Sequence, residues 1–126
     1  MTKKVIQTEK APKAVGPYSQ AVDMGSMIFC SGQIAIDPSN NEVLKGSVKE
    51  QTTQVMKNIG AVLQSAGLNF NNVIKTTIFL TDMNDFATVN EIYASCFQEP
   101  FPARSTVAVA ALPKGVNVEI EVIASR

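Results

Sequence analysis

The segment from Ser47 to Gly67 constrains the fold most, because it carries a complete set of helix signals. Ser47 and Glu50 have the spacing of a capping box, and Gly67 stands where a glycine commonly ends a helix. Between these ends, apolar side chains recur at the spacing of one helix face. The sequence therefore predicts a helix over 47–66. Its core-facing residues are Val48, Thr52, Val55, Met56, Ile59, Val62, Leu63 and Ala66.

Runs typical of β-strands lie on both sides of this helix. A second helix is predicted from Asp82 or Asn84 to about Phe97, because Asp and Asn are both favoured at helix N-termini. Gly60, inside the first helix, is expected to let that helix lie close to a sheet. The predicted strands are 5–7, 18–24, 27–31, 73–80, 103–109 and 116–124.

The order of these elements predicts an α+β fold: three strands, a helix, a strand, a helix and two strands. Helices that connect strands favour a mixed β-sheet of about six strands with both helices packed on one face. The other face of such a sheet would stay bare, which indicates that copies of the chain associate. At 126 residues the chain is expected to be one domain, 1–126.

The composition excludes several classes of chemistry. The chain has no histidine, which excludes Ser-His-Asp and Cys-His catalysis and the common zinc sites. The two cysteines are too few for a metal site of their own, so no metal is expected. Eleven basic and eleven acidic side chains cancel, so no net field attracts nucleic acid or a membrane surface. Two distant cysteines without an export signal indicate a cytoplasmic protein with reduced thiols.

Arg104 is the first candidate for chemistry, since a planar guanidinium can bind a carboxylate through two parallel hydrogen bonds. Strand alternation places Thr106 on the same face, and the opposite face, which holds Val107, is expected to join the core. The structural alternative is an exposed edge arginine, or one paired with a nearby glutamate. On this pattern alone, that alternative is the better interpretation.

The last predicted strand supplies a carboxylate that can act as a base. Its apolar residues alternate with Asn117, Glu119 and Glu121, which share the other face. A hairpin across residues 113–115 is expected to bring this polar face beside Arg104 and Thr106, where a glutamate can bind and deprotonate water. A solvated outer face explains both glutamates equally well.

Three further places offer polar groups to a ligand. Asn90 shares a helix face with aromatic residues, where a buried amide would need partners and a wet edge would not. The segment around Tyr18 provides a phenol, and Ser31 with Gly32 provides a hydroxyl and free backbone groups. Ordinary turn chemistry explains these two segments as well.

Short motifs spread over nearly the whole chain carry a family resemblance. They are Ala11-Pro12, Gly16-Pro17-Tyr18-Ser19-Gln20, Ser31-Gly32-Gln33, Lys75-Thr76-Thr77, Asp85-Phe86-Ala87-Thr88-Val89-Asn90, Pro102-Ala103-Arg104-Ser105, Leu112-Pro113-Lys114 and Val118-Glu119-Ile120-Glu121. Together they resemble the RidA family of enamine and imine deaminases. The resemblance implies a chorismate-mutase-like fold and a homotrimer with active sites between subunits. It also implies hydrolysis of reactive 2-imino acids from pyridoxal-phosphate enzymes to 2-keto acids and ammonia, without a cofactor.

The resemblance also implies roles for individual residues. Arg104 matches the arginine that holds the substrate carboxylate, and Glu119 matches the glutamate that positions the attacking water. Thr106 stands where many members carry a cysteine that helps to hold this water. Because threonine also forms hydrogen bonds with water, hydrolysis is expected to persist, whereas chemistry that needs a thiol there is not. The residues that match the lining of the cleft are Tyr18, Ser31, Gly32 and Asn90.

Two other functions fit the same sequence. A regulator that binds 2-keto acids without turnover would use Arg104 in the same way, so Glu119 is the residue that distinguishes it from an enzyme. RNA-cleaving and chaperone-like activities are also attributed to family members. The zero formal charge, the absence of a basic run and the absence of histidine argue against RNA cleavage.

Overall fold

A six-stranded mixed β-sheet with both helices on one face forms the core of the computed structural model, which describes residues 2–126. The elements are β1 (Lys4–Ile6), β2 (Ala21–Asp23), β3 (Met27–Cys30), β4 (Ile36–Asp37), β5 (Glu42–Val43), α1 (Val48–Ser65), β6 (Val73–Leu80), α2 (Phe86–Ala94), β7 (Ala103–Ala108) and β8 (Val118–Ser125). The main sheet has the order β1-β2-β3-β8-β6-β7, and β4 pairs with β5 in a small hairpin that was not predicted. The predicted α+β class is confirmed.

Helix α1 forms as its sequence signals predict. The Ser47 hydroxyl accepts a hydrogen bond from the Glu50 backbone at 3.2 Å, and the Glu50 carboxylate accepts one from the Ser47 backbone at the same distance. Gly67 follows the helix with φ of +76°, a conformation that favours glycine. The expected role of Gly60 is wrong, since a Cβ there would meet the Phe70 ring at 3.4 Å and not the sheet.

Helix α2 is shorter than predicted. It ends at Ala94, and a separate 3-10 turn over Met83–Asp85 precedes it. Asp82 caps this turn, because its side chain accepts a hydrogen bond from the Asn84 backbone at 2.9 Å. Phe97 lies beyond the helix and is still buried, with its ring centroid 4.6 Å from that of Tyr93. The aromatic stripe that the sequence indicated therefore extends past the helix that begins it.

The predicted hairpin between the last two strands is wrong. β7 pairs in parallel with β6, and β8 pairs antiparallel with the other edge of β6, so β6 separates them. The physical reason is that α2 carries the chain over the sheet as a crossover between the parallel β6 and β7. The 3-10 turn Pro113–Gly115 then lies in a return connection, not in a hairpin.

The two faces of the sheet differ sharply. The helix-covered face buries apolar side chains such as Ile28, Ile78 and Ile120, none of which is exposed to solvent. On the other face, Phe29 is 44% exposed and Val107 is 42% exposed. The expectation that Val107 joins the core is therefore wrong, because the β6–β7 register pairs Thr106 with buried Ile78 and turns Val107 outward.

Some strand ends also differ from prediction. The strand expected over 18–24 contains only Ala21–Asp23, since the Tyr18 backbone donates to the Gly16 carbonyl at 2.9 Å in a tight turn. The last strand begins at Val118, two residues later than predicted. Across the part of the chain that the structure describes, neither helix has the length and apolarity needed to cross a membrane.

Candidate active site

Arg104 lies on β7 and extends across one face of α2. Its Nη1 donates to Asn90 Oδ1 at 2.6 Å. Its guanidinium carbon stands 5.3 Å from the ring centroid of Phe86 and 5.1 Å from that of Tyr93. The three contact residues are spaced i, i+4 and i+7, so one helix face holds the arginine. The Asn90 amide is thus not merely at a wet edge, because it has a cationic partner.

The Arg104 guanidinium keeps its charge available. Within residues 2–126, the one ion pair joins Arg126 to Asp23 at 2.6 Å, away from this site. The structural alternative of an arginine paired with a local glutamate is therefore not found among the described residues. Asn90 accepts only one N–H of Arg104. The remaining N–H donors can still form the two parallel hydrogen bonds that a carboxylate accepts.

Thr106 follows Arg104 by two residues on the same strand face, as alternation predicts. It is partly buried, and the register sets it opposite Ile78 of β6. Its hydroxyl can both donate to and accept from a water molecule beside Arg104. Arg104, Asn90 and Thr106 therefore form one group at the β7 edge of the sheet.

Glu119 lies on β8 with its carboxylate against Gly32. The Gln33 backbone donates to the Ile120 carbonyl at 2.8 Å, and the Ile120 backbone donates back to the Gln33 carbonyl at 3.1 Å. This bridge brings the chain at Gly32 so close to β8 that a Cβ would collide with Glu119 Oε2 and stand 3.0 Å from Cδ. Gly32 therefore leaves space that the Glu119 side chain occupies, and any side chain at this position would force that carboxylate to move.

Burial raises the pKa of the Glu119 carboxyl above its ordinary value of 4.5, and the nearby Glu121 charge raises it further. A carboxylate with a raised pKa is a stronger base, so this environment suits proton abstraction from water. The cysteines offer no comparable group. Burial raises the pKa of the Cys30 thiol to about 11, which keeps it protonated at neutral pH.

A cleft of about 500 Å³ opens in front of Glu119. The Ser31 hydroxyl donates to the Ser19 carbonyl at 2.6 Å, which leaves its lone pairs free to accept from a ligand. Tyr18 is 54% exposed, and its Oη accepts from the Val15 backbone at 3.3 Å. The cleft is lined by Tyr18, Ser31, Gly32 and Glu119, together with Lys13 and Lys114.

Sequence reasoning missed two groups that shape these surfaces. Gln20 is buried, and its amide donates to the Thr8 and Pro12 carbonyls at 3.0 and 2.8 Å, which fixes the loop beside the cleft. The signal was a glutamine directly before an apolar strand. Lys114, which was predicted to lie in a turn and belongs to the motif Leu112-Pro113-Lys114, lines the cleft with φ of +58°. Its place beside the cleft was not predicted.

The structure brings the predicted site residues together as two groups and not as one. Tyr18, Ser31, Gly32 and Glu119 share the cleft, whereas Arg104, Asn90 and Thr106 lie at β7. Strand alternation puts Glu119 on the bare face of the sheet, while Arg104 pairs in register with buried Thr76 on the helix-covered face. The expectation that Glu119 stands beside Arg104 in one chain is therefore wrong.

No group of three or more His, Cys, Asp or Glu side chains able to hold a metal ion occurs among residues 2–126. The polar groups that the two places do contain include the guanidinium, the carboxylate, hydroxyls and backbone groups described above. These groups can bind a small carboxylic acid and deprotonate a water molecule.

Comparison with known proteins gives this arrangement a context. The family model described as Endoribonuclease L-PSP matches residues 8–126. A mouse protein named 2-iminobutanoate/2-iminopropanoate deaminase is 56% identical over 122 residues, covering 97% of this chain and 90% of the mouse protein. The crystal structure of RidA from an Antarctic Psychrobacter has a TM-score of 0.93 and 49% identity, covering 98% and 99% of the two chains. E. coli TdcF, solved with bound serine, has a TM-score of 0.92 and 48% identity, covering 98% of both chains.

Proposed function

This chain belongs to the RidA family, and from that membership we propose that it is a 2-iminobutanoate/2-iminopropanoate deaminase. Curated mouse, human, rat and bovine relatives, 51% to 56% identical, carry that name. The reaction adds water across the C=N bond of a 2-imino acid and releases a 2-keto acid and ammonia. The observation that carries the proposal is an arginine that, within residues 2–126, has no acidic partner and therefore keeps its charge for a carboxylate.

Arg104 is proposed to bind the substrate carboxylate. Its free N–H donors match the two oxygens of a carboxylate, and the imino acid then presents C2 at a fixed distance from the guanidinium. Asn90 orients the arginine by accepting one N–H at 2.6 Å. Tyr18, Ser31 and Gly32 are proposed to bind the rest of the substrate from the cleft.

Glu119 is proposed to act on the attacking water. The carboxylate takes a proton from water while the oxygen bonds to C2 and the C=N electron pair moves to nitrogen. The proton then passes to nitrogen, which gives an amino alcohol. The hydroxyl proton is next transferred to the amino group by way of Glu119, the C–N bond breaks, and ammonia leaves as the C=O bond forms. Thr106 holds the water by a hydrogen bond. Since 2-imino acids hydrolyse unaided, positioning together with acid–base help of about 10²- to 10⁴-fold is sufficient.

A homotrimer is proposed to complete each site. In one chain, Arg104 and Glu119 lie on opposite faces of the sheet, so one small substrate cannot reach both. A neighbouring copy packed against the bare face would set its Arg104 beside the cleft that holds Glu119. The exposed Phe29 and Val107 on that face support burial against another copy.

The expected partners are small 2-imino and 2-keto acids, and neither nucleic acid nor a membrane is expected. The bound serine in E. coli TdcF supports a small amino-acid-like ligand for this chain too. A cytoplasmic location stays a prediction from the sequence, and cell fractionation tests it. The matching family model is described as an endoribonuclease, but the zero formal charge and the absence of histidine argue against RNA cleavage by this chain.

The decisive assay couples the protein to a threonine dehydratase and follows the decay of 2-iminobutanoate. The wild-type chain should accelerate the release of ammonia. Glu119→Gln should abolish the acceleration and still bind 2-oxobutanoate, whereas Arg104→Ala should lose both. If the wild-type chain binds 2-oxobutanoate but leaves the decay of the imine unchanged, the protein is a regulator and the deaminase proposal fails.

A further inference from the structure

We propose that Phe86 and Tyr93 are positioning residues whose rings fix the guanidinium of Arg104 without neutralising it. The inference rests on the proposed function only in assigning the substrate carboxylate to Arg104. It adds what makes that arginine an effective binding group. The observations are the two ring contacts at 5.3 and 5.1 Å from the guanidinium carbon, on the same helix face as Asn90.

An arginine in this place needs an external restraint. Arg104 is exposed and lies on β7, which is the outermost strand of its sheet. A long side chain in such a place samples many rotamers, and ordering it on ligand binding weakens the affinity. A salt bridge would order the side chain but would also compete with the substrate for its charge. The one ion pair among residues 2–126 involves Arg126 and not Arg104.

Aromatic rings solve this problem because they attract a cation through their faces and carry no charge of their own. Both rings lie within the range of cation–π attraction of about 6 Å. Asn90 then sets the rotation of the group by accepting one N–H.

The Tyr93 ring is itself fixed by the strand that pairs with β7. Its Oη and Thr76 Oγ1 form a buried hydrogen bond of 2.8 Å, and Tyr93 is only 5% exposed. Thr76 is also the residue of β6 that pairs in register with Arg104. Thr76 therefore fixes both parts of this arrangement. It pairs in register with the backbone of Arg104, and its hydroxyl holds the Tyr93 ring that contacts the guanidinium.

The test compares variants at Phe86 that keep or remove the ring. Phe86→Leu should weaken 2-oxobutanoate binding about fivefold and raise KM by the same factor, with kcat changed less than twofold. Phe86→Tyr keeps the ring and should stay within about twofold of the wild type in both quantities. Thr76→Val, which removes the partner of the Tyr93 hydroxyl, should raise KM about twofold. Thermal melting and oligomeric state are measured for each variant.

The results separate this inference from the proposed function. Tight 2-oxobutanoate binding by Phe86→Leu, or equal losses in Phe86→Leu and Phe86→Tyr, would overturn the role of the ring while the wild-type assay still decides the deaminase activity. A wild-type chain without deaminase activity defeats the proposed function, and the ring is then judged from the dissociation constants alone. If the wild type binds no 2-keto acid, the inference is wrong too. If Phe86→Leu does not fold, Phe86→Met replaces it as a second apolar side chain without a ring, with the same expected rise in KM and kcat changed less than twofold. An unchanged KM in that variant overturns the inference.

Discussion

The two halves of the site are built in opposite ways. The Arg104 half consists of side chains: an amide and two rings on α2 hold a guanidinium that projects from an edge strand. The Glu119 half is set by backbone: a pair of main-chain hydrogen bonds brings Gly32 against the carboxylate, and a missing side chain leaves room for it. Side-chain contacts therefore position Arg104, whereas the absence of a Cβ at Gly32 makes room for the Glu119 carboxylate.

This difference predicts how each half responds to change. Three side chains contact the Arg104 guanidinium, so the loss of one of them should weaken substrate binding only a little. The Glu119 carboxylate occupies the space that Gly32 leaves, so filling that space should displace the carboxylate and lower its activity in one larger step. The halves also differ in their proposed roles, because the first is proposed to bind the substrate and the second to act on water.

The largest expected effect is on deaminase activity, when Arg104 is removed from one subunit and the Glu119 carboxylate from another. Arg104→Ala and Glu119→Gln should each lower kcat/KM by at least about 100-fold. When the two inactive variants are unfolded together and refolded, random assembly gives one site in four an intact arginine from one subunit and an intact glutamate from its neighbour. Deaminase activity should therefore return to about a quarter of the wild-type level.

A matched control for this mixing uses Arg104→Ala together with the double variant at both positions. No subunit then supplies an intact Arg104, so activity should not return. Recovery in the first mixture and none in the second would establish shared sites. If neither mixture recovers activity although both form mixed oligomers, the halves do not meet across an interface.

The next largest expected effect comes from filling the space that Gly32 leaves beside Glu119. Gly32→Ala should lower kcat by about 10- to 100-fold, because the new Cβ displaces a carboxylate that must hold water to within about 1 Å. Binding of 2-oxobutanoate should change much less, since Arg104 is untouched. Stopped-flow rates and equilibrium titration separate these two quantities.

Gly46→Ala is a matched control for this substitution. A Cβ at Gly46 would also meet a glutamate carboxylate, that of Glu50 at 3.0 to 3.1 Å, but this side chain is exposed and can move away. It should retain nearly full activity. If Gly32→Ala retains the wild-type kcat as well, the carboxylate of Glu119 does not need the space that Gly32 leaves.

The sequence predicted the features that depend on residues close together along the chain. The capping box at Ser47, the glycine at Gly67 and the buried face of α1 follow from residues within a few turns of one another, and all three are confirmed. Strand β6 occupies 73–80 as predicted, because β-branched residues fill it. Family motifs indicated the candidate site residues, and their roles stay a prediction.

What the sequence could not predict depends on pairing across the chain. Alternation correctly placed Arg104 and Thr106 on one face, but it could not tell which face the helices would cover. The assignment of Val107 to the core failed for that reason. Likewise, no local signal shows that β8 inserts between β3 and β6 and leaves β7 at the edge. The separation of Arg104 from Glu119 follows from that strand order and from the registers that set the two residues on opposite faces.

A smaller effect concerns the pH dependence of the Glu119 half. Since burial and the Glu121 charge raise the pKa of Glu119, the base is lost by protonation at a pH above 4.5, the ordinary value for this carboxyl. The acid limb of kcat/KM should therefore lie above that value. Glu121→Gln removes the like charge and should shift the limb to lower pH by less than about one unit. A limb that moves to higher pH in this variant would contradict the assignment.

The smallest effect is on stability, and its sign follows from the same raised pKa. A carboxyl that holds its proton more tightly in the folded state destabilises that state when ionised, so the cost is absent at low pH and reaches its full size above the folded-state pKa. Glu119→Gln should therefore raise the melting temperature at neutral pH by a few degrees at most, because the carboxylate is only partly buried. Below the ordinary pKa of 4.5 the variant and the wild type should melt together. Thermal melts at both pH values, with oligomeric state checked in each, measure the difference. A variant less stable than the wild type at neutral pH would show that the Glu119 carboxylate stabilises the fold and is not held in place at the expense of stability.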